Sequence, residues 1–265
     1  MKRIIFQGLV IVVLFFSTWY LLSQIDWEKL FHIERITKKT EEKLGEIFWD
    51  IFNDSGKKIE NPELKVALDS ILTWICVSNE IEKNQIKLHV LRNNDINAFA
   101  LPDKHIVIFS GLIFACENEA ELCGVICHEL AHIEKDHVVK KLIKEVGLSV
   151  LLSMTIGNSS SEMINETAKL ISSTAYDRSL EKEADDLAFN YLINSEINPE
   201  PFADFLGRLS EDESNILNSI SWISTHPEGK ERAERIINKS KNINKDYKLV
   251  LTEDTWIIIK ESVKD

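Results

Sequence analysis

The stretch His128-Glu129-Leu130-Ala131-His132 sits inside a helix-patterned segment and decides how the rest of this 265-residue chain is read. A helix turns about 100° per residue, so histidines four apart lie on one face, roughly one turn from each other. Two imidazole nitrogens can then close on a single Zn²⁺ ion, and Glu129 beside them can take a proton from metal-bound water. The spacing predicts a metal site, one zinc per chain, and a general base together.

Such a centre needs a third protein ligand from a later helix. Ser179-Leu180-Glu181-Lys182-Glu183-Ala184-Asp185-Asp186 offers one. Glu181 and Asp185 are four apart and face one way, so Glu181 could ligate zinc while Asp185 holds a ligand histidine from behind. Taken alone, such a run reads as a solvated acidic face; downstream of an HExxH, the ligand reading explains it better. His137 competes as third ligand. It follows His128 by nine positions, on the far side of an unbroken helix, and the glycine that would break that helix is replaced by Lys135. It reads as a structural or helix-end residue. His226, before Pro227, is of a kind that more often caps or sits on the surface. His89, His105 and His32 have no partner identifiable from sequence.

Composition narrows the classes. The formal charge of −12, from 31 Lys and Arg against 43 Asp and Glu, argues against a nucleic-acid partner. No GxSxG elbow and no glycine-rich phosphate loop occurs. Cys123 and Cys127 are four apart on one helix, where a disulfide is strained, and Cys76 and Cys116 lie in apolar contexts, so all four read as buried free thiols.

Residues 4–22 carry no charged side chain and follow Lys2 and Arg3. That run is just long enough to span a bilayer as a helix, and longer than the apolar core of a cleaved signal, which is the less favoured reading. The pattern predicts an α+β, mainly helical chain: a gluzincin (zincin-like) domain with a small sheet, after one N-terminal transmembrane helix. Residues 1–25 are the expected anchor, 26–60 a membrane-proximal helical segment, 61–240 the metal-binding domain and 241–265 a C-terminal strand extension. Helical spacing runs through Leu30, Ile33, Ile36, Leu44, Ile47, Phe48 and Ile51 and ends near Asn53-Asp54-Ser55-Gly56. A helix with Leu64, Ala67, Leu68, Ile71, Leu72 and Ile75 inward opens at Asn61-Pro62. Strands are expected at 87–91 and 105–109. One helix is expected from Glu117 to about Lys144 and another from Glu162 to Asn194. The apolar run 146–157 is too short to span a membrane. In the tail, 247–251 and 256–259 read as two strands about a Glu253-Asp254 turn.

Together these motifs resemble the HtpX and CAAX-prenyl-protease family of zinc metallopeptidases, family forty-eight, and most closely its single-anchor quality-control branch of Oma-type and bacterial periplasmic members. Asn97-Ala98-Phe99-Ala100-Leu101-Pro102 precedes a strand and Gly111-Leu112. Glu117 to Leu122 leads into the HExxH; Tyr176 and Arg178 precede Glu181 to Asp185; Thr225-His226-Pro227 with Arg232 closes the set. The resemblance implies zinc on His128, His132 and Glu181, with Glu129 as base and Asp185 behind a ligand. It implies that His226 stabilises an oxyanion or, at rest, caps the metal. It further implies that 105–109 is an edge strand on which an extended substrate pairs, bringing Ile106 and Ile108, with Asn97, Ala98 and Phe99, against that substrate. The expected function is a membrane-anchored zinc endopeptidase acting on protein or peptide substrates, misfolded or envelope proteins at the family level. Its expected setting is a bacterial inner membrane, with the catalytic domain on the periplasmic side. The alternatives are a zincin-shaped chaperone or assembly factor that rarely cuts, and a structural protein with an accidental HExxH. Oligomeric state is not legible.

Overall fold

The computed structural model describes residues 2–23, 38–54, 58–212, 221–241 and 243–264, in two compact units, Met1–Thr40 and Glu41–Asp265. The first unit holds α1 (Lys2–Ser23), 22 residues over the segment expected to be the anchor. Its side chains are described at positions 7, 8, 10 and 12–20; among the described residues no helix is long and apolar enough to cross a membrane. Leu30, Ile33 and Ile36 of the expected amphipathic segment lie outside the described residues.

The second unit opens within α2 (Lys38–Asn53), which stops at the expected Asn53. Leu44 and Phe48, one turn apart, are fully buried in the main core, so part of the segment expected to stand beside a membrane belongs to the metal-binding unit. Helix α3 (Pro62–Ser78) starts where Asn61 accepts the Leu64 N–H at 2.9 Å and Pro62 takes the first turn, whose N–H groups have no partner within the helix. All six of its predicted inner residues are buried.

Strands β1 (Lys87–Leu91), β2 (Ala98–Leu101) and β3 (His105–Phe109) form one sheet in the order β1-β3-β2. β3 runs parallel to β1 and antiparallel to β2. This corrects the expectation of an edge strand at 105–109. All five β3 residues are buried, as suits a strand covered on both faces and paired on both sides. The backbone groups of Ile106 and Ile108 face β1, and β2 flanks the other side of the strand, so β3 cannot receive a substrate strand. One edge of the sheet belongs to β2, whose four residues are all buried. Phe109 N–H donates to the Asn97 carbonyl at 3.0 Å, so Asn97, Phe99 and Leu101 face β3, while the N–H and C=O groups of Ala98 and Ala100 point away.

After the short α4 (Ser110–Ala115) comes α5 (Glu119–Glu134), the central helix, buried without a break from Glu119 to Ile133. Asn118 caps it by accepting the Glu121 N–H at 3.1 Å, and Glu121 in return accepts the Glu117 N–H at 2.9 Å. The helix expected to continue to Lys144 instead breaks at Asp136, which adopts φ +54. Asp is among the few residues that tolerate this left-handed region. Then follow α6 (His137–Val146), α7 (Leu148–Thr155) and α8 (Ser161–Ser173). Helix α7 is the short apolar run; Leu151 and Met154 are buried while Leu152 and Ile156 are exposed.

The expected single helix to Asn194 is also two, α8 and α9 (Arg178–Asn194). Ser172, Ser173 and Thr174 donate their hydroxyls back to the carbonyls of Lys169 and Leu170, competing with the helix at its end. Helix α5 packs mainly on α9, on α10 (Glu200–Asp212) and on β2. Gly124 permits the α10 contact: a Cβ there would lie 2.4 Å from Phe202 Cβ and Cγ.

Helices α11 (Ser221–Thr225) and α12 (Gly229–Ser240) follow. The tail corrects a further expectation, because 253–262 is a helix, α13 (Glu253–Ser262), and 247–251 pairs in no ladder among the described residues. Thr252 accepts the Thr255 N–H at 3.2 Å, Glu253 and Asp254 occupy the first turn and Lys260 the last. These charges suit the helix dipole and outweigh the strand preference of Ile257-Ile258-Ile259. The four cysteines are free and buried, as expected.

Candidate metal centre

The two histidines of α5 point at α9 and at the residue after α11. His128 Nε2 and His132 Nε2 lie 3.0 Å apart, and His226 Nδ1 is 3.1 Å from His128 Nε2. From α9, Glu181 Oε1 is 2.8 Å from His226 Nδ1 and 3.3 Å from His132 Nε2. All four side chains are buried, with one ligand atom from each lying within 4.8 Å of the others. Tetrahedral zinc with bonds of about 2.0–2.2 Å holds its ligands roughly 3.3–3.6 Å apart. Three imidazole nitrogens and a carboxylate oxygen converging at this spacing can share one cation. The donor set of histidines and a carboxylate fits zinc.

Charge favours the same occupant. Three buried carboxylates, Glu129, Glu181 and Asp185, meet one buried guanidinium, Arg232. Burial raises the Glu181 carboxyl, but His226, Arg232 and His128 overcome it and hold it well below the usual carboxylate range. Burial and Arg232 press His128 down, while Glu181 and Asp185 prevail and lift it to about 9. Burial prevails at His132 and His226, which are held below the ordinary imidazole range, so the excess of carboxylates over Arg232 is what favours a cation here.

A surrounding layer fixes the donors. His128 Nδ1 lies 3.1 Å from Asp185 Oδ1, the partner expected from the four-residue spacing on α9. Arg232 grips Asp185 with two bonds, Nε to Oδ2 at 3.0 Å and Nη2 to Oδ1 at 2.8 Å, while its Nη1 reaches the His226 carbonyl at 3.0 Å and Glu181 Oε2 at 2.9 Å. Arg235 adds a bond to Asp185 Oδ2 at 2.6 Å. Burial works against the Asp185 charge, but Arg232 and His128 hold its pKa far below the ordinary value. The Tyr176 ring stacks on His132 with centroids 4.0 Å apart, and its backbone N–H bonds the Thr225 carbonyl at 3.0 Å.

Glu129 is fully buried beside these donors. Trp222 Nε1 donates to its Oε1 at 3.2 Å, and its Oε2 has no hydrogen-bond partner among the described residues. One oxygen is thus held and the other is free to take a proton. His226 Nε2 stands 3.4 Å from Glu129 Oε1, so this histidine spans base and ligands rather than the surface. Of the residues expected to meet substrate, Asn97, Ala98 and Phe99 lie at or on the β2 edge, with the Asn97 amide donating to the Ser172 carbonyl at 3.3 Å. Ile106 and Ile108 lie in the central strand. Sequence reasoning assigned no role to Arg232, Arg235, Trp222 or Tyr176; the Thr225-His226-Pro227 and Arg232 spacing was the available signal for the first.

The model of peptidase family M48 matches residues 60–240. The chain is 26% identical over 152 residues to mitochondrial metalloendopeptidase OMA1 of Schizosaccharomyces pombe, covering 57% of this chain and 45% of that one. It is 24% identical over 203 residues to the beta-barrel assembly-enhancing protease of Escherichia coli, covering 71% and 41%. Metalloprotease LoiP of Escherichia coli is 26% identical over 167 residues, covering 60% and 65%. The matches thus span less than half the length of the first two relatives and about two thirds of the third.

Proposed function

The chain belongs to peptidase family M48, and on that premise we propose that it is a zinc-dependent endopeptidase whose base is Glu129 and whose ligands are His128, His132 and Glu181. The observation that carries the reading is the convergence of four buried donors at ligand spacing around a buried carboxylate with one unbonded oxygen. Bound there, zinc would polarise the scissile carbonyl and lower the pKa of a water towards about 7. Glu129 Oε2 takes that water's proton and returns it to the leaving amine, a role that typically contributes about 10²–10⁴-fold. The Trp222 indole holds Oε1, so the free Oε2 keeps its direction. Asp185, clamped by Arg232, keeps a proton on His128 Nδ1 and leaves Nε2 for the metal.

His226 stands at ligand distance and suits a resting cap: it leaves when substrate enters and then donates to the oxyanion. The groups of Ala98 and Ala100 point away from β3 but are fully buried, so strand addition there by an extended peptide, which reads main chain and tolerates varied side chains, requires the cover over β2 to open. The uncharged run at 4–22 of the sequence is what supports a single-pass anchor. One relative is named for beta-barrel assembly and another for mitochondria, which accords with a membrane setting; we take misfolded or envelope proteins of a bacterial membrane as the substrates. Glu129→Gln tests the reading: it is expected to keep one zinc per chain and to remove the new amino termini that the wild type generates in cells. Loss of zinc together with cleavage would overturn the division between base and ligands. Restoration of the cellular function by Glu129→Gln would favour a chaperone that binds without cutting.

A further inference from the structure

His128 and His132 face the metal position alike, yet their other ring nitrogens are held differently. His128 Nδ1 meets a carboxylate, Asp185. His132 Nδ1 meets another ring nitrogen, His137 Nδ1, at 3.0 Å. His137 is fully buried, and its far nitrogen, Nε2, lies 3.4 Å from Glu183 Oε2. The other Glu183 oxygen pairs with Lys135 Nζ at 3.0 Å.

We infer that His137 is the positioning residue for the ligand His132, with Glu183 behind it. The hydrogen count allows one arrangement. His132 must offer a lone pair at Nε2, so its Nδ1 carries the proton and donates to His137 Nδ1. His137 then carries its own proton on Nε2 and donates to Glu183. Each ring is neutral and each nitrogen has one role. The Tyr176 ring holds the face of His132 and His137 holds its edge, so the imidazole is fixed in two directions.

The backbone explains how His137 arrives there. On a continuous helix, a residue five beyond His132 points about 140° away from it. The left-handed Asp136 ends α5 and restarts the chain as α6 with His137 at its first position, beneath the metal helix. Helix α9 then serves both ligand histidines at once: Asp185 behind His128, and Glu183, through His137, behind His132.

The inference rests on the proposed zinc centre, and the test separates the two. Zinc affinity of the full chain is measured by competition with a chromophoric chelator for wild type, His137→Phe and His137→Asn. Loss of a partner behind a ligand typically weakens metal binding about 10–100-fold. His137→Phe, which fills the space and cannot accept, is expected to bind zinc at least about tenfold more weakly. His137→Asn has an oxygen near the original Nδ1 position, still accepts from His132, and is expected to recover most of that loss. Equal affinity of His137→Phe and wild type overturns the inference. Equal weakening of both variants also overturns it, by showing a packing effect. Should His137→Phe fail to fold by far-ultraviolet circular dichroism, His137→Leu takes its place under the same rule. Less than one zinc per wild-type chain would instead overturn the metal centre itself.

Discussion

Arg232→Met is the sharpest perturbation of the site at a residue that is itself neither base nor ligand. The guanidinium is 1% exposed and donates to Asp185 twice and to the His226 carbonyl, while also pairing with Glu181. Methionine fills the space but strands Asp185 and Glu181 as buried carboxylates. Breaking one side of a buried ion pair costs about 3–5 kcal/mol. Arg235 keeps its 2.6 Å bond to Asp185, which favours the lower end, about 3 kcal/mol. For a unit of about this size each kcal/mol moves the Tm by roughly 2–4 °C, so a fall of about 6–12 °C is expected. Thermal unfolding is followed by circular dichroism after dialysis against a chelator, because a bound cation would neutralise the stranded carboxylates and stabilise the variant through linkage. Adding Asp185→Leu should recover part of the loss, since removing both partners is less costly than orphaning one. A fall below about 2 °C for Arg232→Met would refute the claim that this clamp holds the site together.

Other regions give independent tests. Gly124→Ala drives a methyl into Phe202, and overpacking of this kind costs about 1–3 kcal/mol; unchanged chemical denaturation midpoints would mean that α10 can yield. Glu119, buried at the start of the metal helix, accepts the Val250 and Leu251 N–H groups at 2.7 and 2.6 Å. Glu119→Gln presents an amide donor to one of them and should cost about 1–3 kcal/mol, with faster hydrogen exchange at Val250 and Leu251; protection equal to wild type would show that the tail is held elsewhere. Buried Lys141 donates to the Ile171 and Thr174 carbonyls at 3.0 and 2.6 Å, and burial lowers its pKa to about 8. Between that value and the unfolded lysine value of about 10.4 the unfolded chain binds more protons, so stability contributed by this group rises with pH. The Tm difference between wild type and Lys141→Met should therefore grow from pH 8 to 10. A flat difference would contradict burial of the ammonium.

What the chain makes legible follows the range of the interactions involved. The pairs His128/His132 and Glu181/Asp185 are set by one turn of one helix each, so their faces could be read from spacing alone. The order of the strands could not, because β3 becomes central only through pairing with two segments, and a run of buried residues looks alike at an edge and in the middle. His137 depended on a single dihedral. With Asp136 helical it points away from the centre; with Asp136 left-handed it lies against a ligand. His226, taken alone, reads as a capping or surface histidine; it is buried by Trp222 and Arg232, four and six residues away, only because both fold back on it, and by the distant Tyr176. The tail shows the converse error. Its helix signals at Thr252, Glu253 and Lys260 are local, and the apolar Ile257–Ile259 run masks them by carrying a strand signal of its own. A terminus with cap, first-turn acid and last-turn base already satisfies most of what a short helix needs. Burial of Trp256 and Ile259 on the core supplies the remainder that three β-branched residues withhold.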